Sequence, residues 1–89
     1  MDLAKLTPLP YGVIRKNQDV VDAFTKTEEG ITRLQLTAKA AAFLKLGWPD
    51  ATDEELDQHS PGAIEAAAFA LYKATFARPE DAAPVPQNP

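Results

Sequence analysis

The sequence predicts a mainly α protein: a small bundle of three or four short helices, with an extended N-terminal arm and a disordered, proline-rich C-terminal tail. Three observations carry this. SPGAIEAAAFALYKATFARP, residues 60–79, reads as one helix with a written start and stop. AKAAAFLKL, residues 38–46, is built from residues that lose little on becoming helical. Six of the eight prolines lie toward the two ends, and the other two, Pro49 and Pro61, fall where helices stop or start. The domain boundaries that follow are an arm over 1–16, one helical domain over 17–78 and a tail over 79–89.

In the arm, Pro8 and Pro10 fix their own φ and push the residues before them toward extended backbone. Leu3, Leu6, Leu9, Tyr11, Val13 and Ile14 are scattered apolar positions that need a groove, on this domain or on a neighbour. Asn17 is placed to cap a short helix. Val20, Val21 and Phe24 fall on one face of that helix, which ends between Thr25 and Gly30.

Residues 31–37, ITRLQLT, allow two readings. A helix continuous from about 28 to 46 is preferred because the following alanine-rich stretch is strongly helical. The alternative is an α+β fold, in which a hairpin over about 20–36 uses Ile31, Leu34 and Leu36 as a partly alternating strand. Gly47 suits the position just past the helix end, and Pro49 forbids continuation. Thr52 and Glu55 have capping-box spacing and open a short acidic helix, DEELDQH. Ser60 is the next N-cap, and Pro61 occupies the first helical position, where its missing N–H costs nothing. This last helix runs to about Ala77, with Arg78 favourable to the macrodipole and Pro79 beyond. PEDAAPVPQNP then has the composition of a disordered or polyproline-II tail.

At 100° per residue, Ile64, Ala67, Ala68, Leu71 and Thr75 of the long helix share one face. Phe69, Tyr72 and Phe76 share an adjacent face with Glu65. Lys73 and alanines 66, 70, 74 and 77 fill the rest. A surface helix normally keeps a charged back, and this one has a single lysine there. The helix therefore has apolar surface to offer a partner as well as its own core. Ile64, Ala67, Phe69, Ala70, Leu71, Tyr72 and Phe76 are the candidate partner-contact residues.

Composition limits the remaining choices. Eighty-nine residues make one domain, with room for a core that buries roughly 60–65% of the unfolded surface. The net charge of −4 argues against nonspecific nucleic-acid binding and against docking on anionic membranes. Absence of cysteine excludes disulfides, thiolate metal sites and thiol nucleophiles. It also favours an intracellular setting or a place within a macromolecular assembly. MDLAKLTPLPYGVIRK lacks the apolar run of a signal peptide, and no segment approaches a membrane span.

No catalytic, cofactor or metal motif stands out. His59 has Asp57 and Ser60 close in sequence, but triad groups must converge in space, and neighbours at a helix junction seldom do. Asp50, Asp53, Glu54, Glu55 and Asp57 lack the glycine and final glutamate of a calcium loop; carboxylates in a first helical turn answer the helix dipole. Asp53, Glu54, Glu55 and Asp57 remain a candidate contact patch for a basic protein surface. LTAKAAAFLKLGW resembles the first helix of a helix-turn-helix unit, as in excisionase-like or repressor proteins. However, Phe43 stands where a small residue is usual, Pro49 meets the turn, and the helix that would enter the groove is acidic. Lys26, Arg33, Lys39 and Lys45 are spread along the middle of the chain like a solvated face.

The expectation is a non-enzymatic interaction or assembly subunit with a protein partner or self-association, no cofactor and no small-molecule substrate. Small structural proteins of viruses and bacteriophages have this character, by analogy only. The alternatives are a small acidic regulator that inhibits one protein, and the helix-turn-helix reading.

Overall fold

The computed structural model describes residues 2–26 and 29–77. Among these residues there are five helices and no strand: α1 (Tyr11–Lys16), α2 (Gln18–Thr25), α3 (Arg33–Leu44), α4 (Asp53–Asp57) and α5 (Pro61–Phe76). The fold is mainly α, as composition and periodicity indicate. The tail expected over 79–89, and Arg78 before it, lie outside the described residues.

The N-terminal arm is shorter than its sequence suggests. Only residues 2–10 are non-helical; Pro10 ends the extended stretch and starts α1. The carbonyl of Pro10 accepts from the N–H groups of Val13 (3.1 Å) and Ile14 (3.3 Å). A proline restricts the residue before it but leaves the residues after it free to turn, so YGVIRK closes a short helix with Arg15 and Lys16 in its last turn. The arm lies on its own domain. Leu9 is buried, Leu3 and Leu6 pack against the core, and Leu9 N–H donates to Thr75 Oγ1 at 3.0 Å.

Asn17 does not cap α2 with its side chain. Its Nδ2 donates backward to Val13 O at 2.7 Å, closing the end of α1. Its backbone carbonyl accepts from Val20 and Val21 to open α2. One residue thus serves two helices.

No hairpin forms over 20–36, and the helix expected from about 28 begins at Arg33. Gly30 has φ +77°, a left-handed conformation that halts helical propagation. Thr32 then starts α3 with a complete capping box. Gln35 N–H donates to Thr32 Oγ1 at 3.1 Å, and Thr32 N–H donates to Gln35 Oε1 at 3.0 Å. Gly47 keeps negative φ and is no left-handed cap. The chain leaves α3 by tighter bonds instead, from Leu46, Gly47 and Trp48 N–H to the carbonyls of Phe43, Leu44 and Lys45. Thr52 and Ser60 cap α4 and α5 as expected, accepting from Glu55 and Ala63 N–H at 3.2 Å each.

The α3–α5 pair carries the most extensive packing, with α2 laid against α3. Ala40 of α3 and Ala68 of α5 are fully buried; with so little side chain, the two helices can come close. Phe43, Leu44 and Leu71 are the largest side chains removed from water. The ring of Phe24 stacks on that of Phe43 with centroids 4.8 Å apart, fastening α2 to α3.

Candidate protein-contact surface

The long helix divides the residues expected to meet a partner into two groups. Ile64, Ala67 and Leu71 are buried in the chain's own core, at 3%, 6% and 1% exposure. Phe69 and Phe76 are half in water, at 49% and 48%, and Ala70 is exposed. Tyr72 is intermediate. The outer arc of α5, from Phe76 through Phe69, Lys73 and Ala66 to Ala70, therefore carries one charge and two large apolar rings.

These outer rings continue the core. Phe69 sits 5.1 Å from Phe24, itself stacked in the interior, and Tyr72 lies 6.1 Å from Phe43 and 4.7 Å from Phe76. An aromatic line thus runs from the buried α2–α3 contact out to solvent along α5. Beside it is a groove of about 550 Å³. Phe24, Ile31, Leu36, Phe69 and Tyr72 provide its apolar lining, and the exposed Lys26 and Lys73 contribute the charge. Among the described residues four parts of the chain build it: the end of α2, Ile31 before α3, Leu36 of α3, and the aromatic side of α5.

Glu65 is the exception on α5, a carboxylate only 6% exposed. Arg33 Nη2 donates to its Oε1 at 2.6 Å, and Thr37 Oγ1 donates to Oε2. A buried carboxylate needs such partners, because leaving it unpaired in an apolar setting is costly. Arg33, which the sequence places on a solvated face, keeps most of its side chain in water while its tip crosses from α3 to α5. This pair ties α3 to α5 beside the apolar face of Ile64, Ala67, Ala68 and Leu71.

The acidic patch is open but partly compensated. Asp53, Glu54 and Asp57 are exposed and Glu55 is intermediate. Lys45 Nζ approaches Asp53 Oδ1 at 3.6 Å, a separation and exposure at which an ion pair contributes little to stability. Among the described residues no cluster of three or more His, Asp or Glu side chains could hold a metal ion. Ser60 Oγ is engaged as the cap of α5, and His59 is partly buried at the junction before it. No helix among the described residues is long and apolar enough to cross a membrane.

No family model matches the chain, and no curated protein and no solved structure is significantly similar to it.

Proposed function

We propose that this protein is a non-enzymatic assembly subunit that associates with other protein chains, in the first instance further copies of itself, through the outer arc of α5. One observation carries the reading: the aromatic line of the core ends in half-exposed Phe69 and Phe76, on a helix face whose only charge is Lys73. Protein contact surfaces concentrate aromatic residues at their centre and lack charge there. The alanines at 66 and 70 allow a partner backbone to come close to α5.

Multi-angle light scattering of the native chain, over a wide concentration range, tests the proposal. The mass is expected to rise from monomer to dimer or larger. A constant monomer mass up to the solubility limit removes self-assembly as the function.

A further inference from the structure

We propose that the groove beside α5 is a docking site for an extended, proline-bearing acidic segment, and that its occupant is the chain's own residues 79–86. This inference does not require the assembly reading, but the two share Phe69 and Lys73, so a docked segment and a second copy would compete for that edge of α5. Among the described residues the groove is lined by aromatic rings, aliphatic side chains and Thr25, with Lys26 and Lys73 as the charged groups. Aromatic-lined grooves suit proline-rich segments, whose restricted backbone loses little entropy on binding. Charged groups beside such a groove select the charges that flank the prolines.

The sequence beyond α5 has that chemistry. Residues 79–86 read PEDAAPVP. Pro84 and Pro86 bracket Val85, giving two prolines and one apolar side chain for the rings, and Glu80 and Asp81 offer two carboxylates to the two lysines. Reach is sufficient. Tyr72 and Phe69 lie about 7–12 Å back along α5 from Ala77, at 1.5 Å per residue. Residues 78–83 span roughly 18 Å if extended at 3.1 Å per residue, enough to reverse direction and bring Pro84 to the rings. Attachment to α5 also gives the segment an effective concentration of order millimolar at the groove, so even a weak contact is populated.

The chain has no cysteine, so a single Gln87→Cys substitution in the full chain accepts a nitroxide label at one place. Paramagnetic broadening of the Ile31 and Leu36 methyl signals and the Tyr72 ring signals is then measured by NMR. The comparison is the same labelled chain carrying Pro84→Ser, Val85→Ser and Pro86→Ser, which keeps the tether and removes the ligand. Docking predicts broadening several-fold greater in the native sequence than in the triple-serine chain, and reduced again by Lys73→Glu. Equal broadening in both overturns the proposal, since tethering alone would then account for it. Broadening that appears only when labelled chains are mixed with separate isotope-enriched chains also overturns it, because the occupant would be a second copy. Failure here leaves the assembly reading intact, because that rests on the solution mass.

Discussion

The two faces of α5 are made from nearly the same residue types and do different things. Inward, Ile64, Ala67, Ala68 and Leu71 meet α3 and the core and are all but removed from water. Outward, Ala66, Phe69, Ala70 and Phe76 stay exposed or half-exposed, with Lys73 their only charge. Burial is decided by what faces a helix, and among the described residues only one side of this almost wholly apolar helix is covered. The inward face is the one whose larger side chains, Ile64 and Leu71, enter the core, and the Arg33–Glu65–Thr37 contact adds a polar tie between α3 and α5 in that arrangement. The inner face is therefore a stability surface and the outer face the proposed interaction surface, and substitutions on the two should separate cleanly.

The largest effect belongs to the inner face. Leu71→Ala empties a fully enclosed site and should lower unfolding free energy by about 2–5 kcal/mol, read by urea denaturation. Its effect on the solution mass of the folded protein should be nil. A loss under about 0.5 kcal/mol would place Leu71 with ordinary surface positions and end the distinction between the faces.

Next comes the polar tie. Arg33→Ala leaves the buried Glu65 carboxylate with Thr37 alone of its two partners and should cost about 1–3 kcal/mol. Adding Glu65→Met should recover part of that loss, because a buried ion pair replaced by apolar side chains of similar volume is often no less stable. A double variant weaker than Arg33→Ala would show that Glu65 stabilises the fold by some route other than this pair. Smaller again is Thr75→Val, which removes the acceptor for Leu9 N–H and should cost about 1 kcal/mol. Its clearest sign is faster amide hydrogen exchange at Leu9, reporting release of the arm from α5. Unchanged exchange would mean the apolar contacts of Leu3, Leu6 and Leu9 hold the arm unaided.

How much of this was legible in the sequence depends on how local each signal is. The helix-start signals at Thr52 and Ser60 act within four residues, and the structure follows both. The inner face of α5 was readable from periodicity alone, which grouped Ile64, Ala67, Ala68 and Leu71 correctly. The Thr32–Gln35 box was equally local, yet the strongly helical stretch after it carried the expected start back to about residue 28, so α3 was expected to start too early. Asn17 was expected to cap the helix after it, but an asparagine between two helices can serve either, and its side chain turns to the earlier one. Pro10 was read only for what it does to the residue before it, and α1 was lost in the arm.

The candidate surface was legible only in part. Phe69, Ala70 and Phe76 were singled out from the helix pattern, but Ile64, Ala67 and Leu71 joined them because one helix alone does not reveal which side its neighbours cover. The groove brings Phe24, Ile31 and Leu36 to α5 from other elements, and no spacing in the sequence foretells that. Glu65 did carry a usable sign: a lone carboxylate on an apolar helix calls for a buried cation or donor nearby.

Substitution on the outer face should do least to stability and most to mass. Ala70→Glu places a charge in the outer arc of α5, while Ala42→Glu places the same charge at an exposed alanine of α3. Both should change stability by no more than about 0.5 kcal/mol and keep native helicity by circular dichroism. Light scattering of these two variants beside the native chain is the most direct test. The account predicts a monomer for Ala70→Glu, and for Ala42→Glu an oligomer indistinguishable from native. Equal masses for the two variants would contradict it, because the outer face of α5 would then be no more an interface than the exposed face of α3.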